Sequence, residues 1–528
     1  MGAQVRKEGA ETPELRRDAV ELDLRSLELL PARLAAAEER PEAPFGAQPL
    51  TLELECVRVA RGEGVLDRGT RLRTAGVAEQ RFDFELESGQ VLSHGVPGSI
   101  MRAGAPGHMG RRTHLRTACG PPSRTVVCLL AAVLALALAA AAGTAEPARA
   151  AKPSLAARLA SALAVAGLDH SRSAALAVDL RTGRVVFARN PTLSLVPASN
   201  EKIAVAYAAL ALLGPSYRFH TDVVGRGALA GGVWSGDLFL KGYGDPTLTL
   251  NDVDALAARI AARGIQHVTG AIVGDESWFD SRRTGPGWRS RFYVNESPPL
   301  SALTVARATY RGKTAPKPAL AAAALLRQAL AARGVLVARP ARLGKLPQQG
   351  LLLASDTSPS LSAIVRFMGR ESDNHTAELL LKHLGAVELG LGTTAAGARV
   401  VRTYLAAAEV PLGGVHVVDG SGLSSLDRFT ASAVVALLQA GAANPAIRDA
   451  FLGSLAVAGV DGTLRKRLVT APARGRVIAK TGTTRIACAL SGFVGDRYVF
   501  AVIHNGSPVA TWAARKAQDR FATALARG

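Results

Sequence analysis

Downstream of residue 150 the chain puts strand-forming runs at its two ends and helix-length runs between them. Ala174 to Asp179 and Val185 to Arg189 are apolar runs joined through Leu-Arg-Thr-Gly, which reads as a hairpin. Arg476 to Thr481, Ala489 to Val494 and Tyr498 to His504 read as strands close to the other end. Helical periodicity covers Leu155 to Leu168, Ile203 to Leu213, Ser360 to Gly369, His375 to Leu384, Ala395 to Ala407, Ser432 to Ala440 and Thr511 to Ala526. One sheet must then be assembled from distant segments and covered by helices, which predicts an α/β (α+β) fold.

From Tyr217 to about Leu346 the pattern changes to short strands with Gly-rich turns, at Thr221 to Val224, Gly236 to Lys241 and His267 to Val273. Two helices, Asp252 to Arg263 and Pro318 to Arg333, accompany them. This predicts a smaller α/β domain at 217–346 inserted into a main domain formed by 151–216 and 347–528, with helical periodicity resuming from Leu351.

The 18 uncharged residues from Thr125 to Ala142 follow Arg111, Arg112, Arg116 and Arg124, and Ala148-Arg-Ala150 lies beyond them. A basic n-region, an apolar h-region and an A-x-A site in that order describe a cleaved export signal over 109–150. The location expected is the periplasmic or extracytoplasmic wall space, with a membrane anchor if cleavage fails. Such a signal starts conventionally at Met101 or Met109, so residues 1–108 are expected to be a mis-set start. A small β-rich region is the alternative, given the alternation in Leu50 to Cys56 and Phe82 to Glu87. Cleavage at Ala150 leaves Cys488 as the single cysteine, which excludes an internal disulfide and any Cys-based metal site.

All of the net charge of +20 falls after residue 150. Only 11 of the 63 basic residues are Lys, and no basic stripe is interleaved with aromatics, so nucleic acid is not an expected partner. At most a peripheral membrane contact is expected. A composition of 48% hydrophobic and 20% charged residues, with no internal repeat, fits a globular chain with a sizeable core.

Three short patterns carry chemistry, each occurring once and in this order: Ser199-Asn-Glu-Lys202, Ser372-Asp-Asn374 and Lys480-Thr-Gly482. Ser199 precedes a helix-length run, and one helical turn puts Lys202 on its face. A serine hydroxyl is a weak nucleophile, and a neutral amine beside it could take its proton. The helix amino end, Lys480 and partial burial would all depress the Lys202 pKa. Asn374 can donate and accept at once, suiting it to orient Lys202 and a substrate amide, while Ser372 can relay a proton. Lys480, Thr481 and Thr483 would offer a cation and two hydroxyls to a carboxylate. The backbone N–H groups of Ser199 and Thr483 could form an oxyanion hole. There is no G-x-S-x-G, H-E-x-x-H or Walker-type loop. His375, His383 and His416 are expected to be surface or cap residues. No cofactor and no metal are expected.

These motifs are shared by penicillin-binding proteins and class A β-lactamases. Longer runs narrow the resemblance: Gly242-Tyr-Gly-Asp-Pro-Thr-Leu248, Pro299-Leu-Ser-Ala-Leu303, Asp419-Gly-Ser-Gly-Leu-Ser424 and Val457-Ala-Gly-Val-Asp-Gly-Thr-Leu464. With them, residues 153–507 resemble the serine D-alanyl-D-alanine carboxypeptidase/endopeptidase family, the class C low-molecular-mass penicillin-binding proteins. The wide separation of Ser199 from Ser372 also exceeds that of a compact β-lactamase.

The resemblance implies a β-lactamase/transpeptidase-like sheet covered by helices. It implies an acyl-enzyme on Ser199, with Lys202, Ser372 and Asn374 catalytic and Lys480, Thr481, Gly482, Thr483 and Asp419 binding substrate. Asp419 has a second reading as a turn residue of Asp-Gly-Ser-Gly. The implied partners are peptidoglycan stem peptides and β-lactam antibiotics. Two alternatives stay open: a serine β-lactamase or esterase of the same fold, and a non-catalytic penicillin-binding sensor or wall-binding module. Between Leu303 and Pro318 the chain lacks a further subdomain that longer members carry.

Overall fold

The computed structural model describes residues 153–347 and 350–528, so the upstream segment 1–108 and the export signal 109–150 lie outside the described residues. No helix among the described residues is long and apolar enough to cross a membrane.

The strands of the main sheet are β1 (Ser173–Asp179) and β2 (Val185–Arg189), then β7 (Ala456–Val457), β8 (Val477–Thr483), β9 (Ala487–Val494) and β10 (Tyr498–Asn505). They pair antiparallel in the order β7-β8-β9-β10-β1-β2, so the two ends of the described chain meet where Ser173 opposes His504 and Asp179 opposes Tyr498. Alternate side chains enter two different cores. Ala174, Leu176, Val178, Ala489, Phe493, Val499 and Ile503 face one, while Ala175, Ala177, Val477, Leu490, Phe500 and Val502 face the other. Both faces are covered, which explains why these strands read as continuous apolar runs rather than alternating ones.

The second core lies under α1 (Leu155–Leu163) and α9 (Thr511–Ala526). The first is filled by α2 (Glu201–Leu213), α5 (Leu361–Arg370), α6 (Asn374–Leu389), α7 (Thr394–Ala407) and α8 (Ala431–Ala443). Helix α6 is buried without interruption from His375 to Ala386. That corrects one expectation: His416 is exposed, but His375 and His383 are core residues. A helix packed on every side has no outer face for a polar residue. His383 lies 2.9 Å from the Tyr217 hydroxyl and 2.9 Å from the Tyr243 carbonyl, and burial lowers the pKa of both histidines to about 4.

The segment between β2 and α5 builds a second, seven-stranded sheet around β3 (His220–Ala230), β4 (Val233–Gly242) and β5 (Ile272–Asp275). Helices α3 (Leu250–Ala261) and α4 (Pro318–Ala331) pack on it around Trp234, Leu238, Leu256 and Leu326. A capping box between Thr249 and Asp252 starts α3. This sheet extends beyond residue 346. Leu351–Thr357 forms β6, antiparallel to β3, where the sequence reading resumes a helical pattern. A short run such as Leu-Leu-Leu-Ala-Ser cannot be told from a helix by periodicity alone.

Candidate active site

Ser199 lies in a short 3-10 turn, Ala198–Asn200, immediately ahead of α2. Two buried asparagines fix that turn to the main sheet. Asn505 on β10 accepts from the Val196 N–H at 2.8 Å and donates to the Val196 carbonyl, while Asn200 donates to Ser491 Oγ on β9 at 2.7 Å.

One turn along, Lys202 is fully buried and its Nζ donates to three oxygens. They are Ser199 Oγ at 3.0 Å, Asn374 Oδ1 at 2.8 Å and the Ser421 carbonyl at 2.6 Å. Burial lowers the Lys202 pKa to about 8, although Asp419, Asp373, Glu378 and Glu201 pull it back up. Of the three causes expected from the sequence, burial is thus the leading one.

Ser372 occupies the tight connection between α5 and α6, at a left-handed φ of 60°. Asp373 then caps α6 by accepting the Thr376 N–H at 2.8 Å. The bend delivers Ser372 and Asn374 to one cleft from neighbouring positions. Lys480, on β8, donates to Ser372 Oγ at 2.8 Å and to the Thr481 carbonyl at 2.9 Å. Burial, and then the charge of Lys202, hold Lys480 well below the ordinary lysine range.

Gly482 permits the close contact of β8 with the serine turn: a Cβ there would stand 2.9 Å from the Pro197 carbonyl and 3.1 Å from the Ser199 nitrogen. Thr481 Oγ1 is 2.8 Å from Thr463 Oγ1, and the exposed Thr483 accepts from Arg515 at 3.4 Å. Ser199, Lys202, Ser372, Asn374 and residues 480–483 are therefore gathered in one place.

Asp419 is different. Of its two readings, substrate binding and turn residue, the structure matches the turn, and the side chain is wholly buried. Its carboxylate accepts the N–H groups of Ser421, Gly422 and Ser424 and the Trp288 indole N–H at 2.7 Å. These bonds consume its acceptors in shaping the loop that hands the Ser421 carbonyl to Lys202, so it presents nothing to the cleft.

Sequence reasoning also missed several contributors. Asn374 Nδ2 donates to the Glu296 carbonyl at 2.9 Å, and Trp288 reaches Asp419 from the same segment. Neither residue sits in a motif. Ser421 and Thr463 do lie in the quoted Asp419–Ser424 and Val457–Leu464 runs, and that was the available signal.

An amine within bonding distance of a hydroxyl, backed by a second cation and a carboxamide, can generate an alkoxide and acylate it. The family model for the D-Ala-D-Ala carboxypeptidase 3 (S13) family matches residues 155–319 and 311–527. The chain belongs to this family. It is 32% identical over 449 residues to a D-alanyl-D-alanine carboxypeptidase of Actinomadura sp. (strain R39), covering 68% of this chain and 82% of that one. It is 24% identical over 413 residues to the D-alanyl-D-alanine carboxypeptidase DacB of Haemophilus influenzae, covering 63% of this chain and 85% of the other. The crystal structure of penicillin binding protein 4 from Haemophilus influenzae superposes with a TM-score of 0.61 at 22% identity, over 68% of this chain and 97% of that one. As an S13 member with this fold, the chain has the mixed sheet-and-helix architecture that the motifs implied.

Proposed function

We propose that this S13 enzyme is a D-Ala-D-Ala carboxypeptidase/endopeptidase that cleaves peptidoglycan stem peptides through an acyl-enzyme on Ser199. The observation that carries the reading is the fully buried amine of Lys202 at 3.0 Å from the hydroxyl of Ser199, which is itself only partly buried.

Neutral Lys202 takes the Ser199 proton as Oγ forms its bond to the carbonyl carbon of the penultimate D-Ala. The tetrahedral oxyanion is held by the backbone N–H groups of Ser199 and Thr483. When the C–N bond breaks, Lys202 returns a proton to the leaving amine, with Ser372 relaying it. Water then attacks the ester, and Ser199 recovers its proton. Asn374 orients the amine and the substrate amide, while Lys480, Thr481 and Thr483 hold the terminal carboxylate and Gly482 lets the strand lie close. Asp419 acts at one remove, by fixing the Ser421 loop. β-Lactams acylate the same serine.

The main sheet and its helices make up the catalytic unit, into which the second-sheet unit is inserted. The reading includes export, with a mature amino terminus near Ala151, and amino-terminal sequencing of protein from the native cell tests that element.

Membership of the carboxypeptidase family favours a peptidase over a β-lactamase or esterase. The deciding experiment is mass spectrometry of purified muropeptides after incubation with residues 151–528. Loss of D-alanine or of a cross-link, absent with Ser199→Ala, is expected. Penicillin acylation without peptide turnover would instead identify a sensor, and rapid release of the acyl group a β-lactamase.

A further inference from the structure

Glu378 lies on α6 one turn beyond Asn374, on the same helical face. It is fully buried, and its Oε1 accepts the N–H groups of Gly420 at 3.0 Å and Ser421 at 2.8 Å. Ser421 is also the residue whose carbonyl receives the Lys202 amine at 2.6 Å. Helix α6 therefore reaches Lys202 twice, directly through Asn374 and indirectly through Glu378 and the loop. Glutamine would accept the same two N–H groups without the expense of burying an ionisable group. What the carboxyl adds, once ionised, is a charge, poorly screened at this depth, that acts on the amine.

We propose that Glu378 is a positioning residue of the reaction, fixing the Ser421 carbonyl against Lys202 and biasing the amine's proton by its charge. This rests on the reading of Lys202 as the base for Ser199.

Other titratable groups act on it or on its partners. Glu201 and Lys202 on α2 and Asp419 on the loop interact with it electrostatically. Asp427 acts on Asp419 and Glu201, Asp373 on Lys202, and Lys480 and Lys202 repel each other, while His375 lies one turn before it on α6 beside Asp373. Burial, with the charge of Asp419, pushes the Glu378 carboxyl up to about 8, against the pull of the Gly420 and Ser421 N–H groups. Lys202 titrates in the same region. As pH rises, Glu378 gains its negative charge while Lys202 sheds its proton, and the new anion holds that proton back. The rise of acylation with pH is therefore spread over a wider interval than one proton requires.

The test is the rate of labelling by a fluorescent penicillin between about pH 6 and 10 for wild type, Glu378→Gln and Glu378→Ala. Glu378→Gln keeps the acceptor, so its half-maximal pH is expected to fall by at least about half a unit and its curve to steepen to a single proton. Glu378→Ala leaves two buried N–H groups unmet and is expected to label at least about tenfold more slowly at every pH. A Glu378→Gln profile superimposable on wild type overturns the proposal, and this isosteric variant decides the matter even where Glu378→Ala fails to fold. Ser199→Ala and Lys202→Arg separate the two levels. If they still label, the reading of the base has failed; if they are silent while Glu378→Gln is unmoved, only the role of Glu378 is lost.

Discussion

Arg307 grips Asp373 with both guanidinium nitrogens, Nη2 to Oδ2 at 2.7 Å and Nη1 to Oδ1 at 3.1 Å. Arg307 is the middle of three consecutive left-handed residues, Ala306, Arg307 and Ala308, with φ of 47°, 57° and 57°. Asp373 is the middle residue of Ser372-Asp-Asn374. A strained turn in the segment joining the second sheet to α4 is thus tied to the motif that supplies two cleft residues. Burial pushes the Asp373 carboxyl up, but the Arg307 contact outweighs it and leaves the group below the ordinary range.

Arg307→Met is expected to slow penicillin acylation by about tenfold, ~1.4 kcal/mol in barrier, by loosening Ser372 and Asn374. Arg307 is 40% exposed, so loss of the pair should lower stability by no more than about 1 kcal/mol. Denaturant unfolding beside acylation kinetics checks this, and a stability loss with unchanged acylation would contradict it.

Lys202, lowered to about 8 by burial, is mostly protonated in mildly acidic solution and cannot accept the serine proton there. Acylation by a fluorescent penicillin should climb as pH rises toward and past about 8 and then level off. Lys202→Arg keeps a cation that does not deprotonate in a protein, so labelling should be lost across the whole range. A variant labelling within about tenfold of wild type would move the base elsewhere.

Lys480→Ala should cost a free-acid peptide far more than its carboxamide. A desolvated, charge-assisted contact to a carboxylate is worth roughly twice a neutral one. The comparison is kcat/KM for the two substrates, and equal losses would remove carboxylate recognition from Lys480.

Gly422 has a φ of 78°, and a Cβ on it would collide with the Ala198 carbonyl oxygen beside Ser199. Gly231, at the β3–β4 turn, has a φ of 54° with nothing within 4 Å. Both Ala substitutions incur the left-handed backbone penalty of roughly 1–2 kcal/mol, but only Gly422→Ala should displace the serine turn. Labelling of the two variants, with melting temperatures alongside, checks the difference.

Cys488 is buried and free, and burial raises its thiol. Acylation should be indifferent to dithiothreitol, and alkylation of the thiol should require denaturant.

The main sheet was legible because strands covered on both faces leave long apolar runs, and Ser199, Lys202, Ser372, Asn374 and Lys480 were legible because their three short patterns resemble those of a known family; local geometry accounts only for the spacing inside each pattern. β6 was hidden by its ambiguous apolar run. Asp419 was left between two readings, and the turn is the one its local bonds to Ser421, Gly422 and Ser424 match, while its contact with Trp288, 131 residues away, was out of reach of the sequence. His375 and His383 were misjudged because their burial depends on distant segments: Tyr217, Phe219, Tyr243 and Trp278 close around His383, and Pro299 and Arg307 lie beside His375. Arg307 belongs to no pattern at all, and Glu378 closes the run Glu371-Ser-Asp-Asn-His-Thr-Ala-Glu378 without any sign there of what it would touch.

The pairing of β1 with β10 has a consequence in time. Ser199 comes soon after β2, but the turn that holds it leans on Asn505 and Ser491, and the Lys480 that bonds Ser372 across the cleft is on β8. A chain made from its amino end has the nucleophile early and lacks its supports until the final strands exist. Sheets closed by such remote partners form slowly. Completion of synthesis therefore works as a safety catch: an interrupted or unfinished chain carries Ser199 but no assembled cleft to activate it.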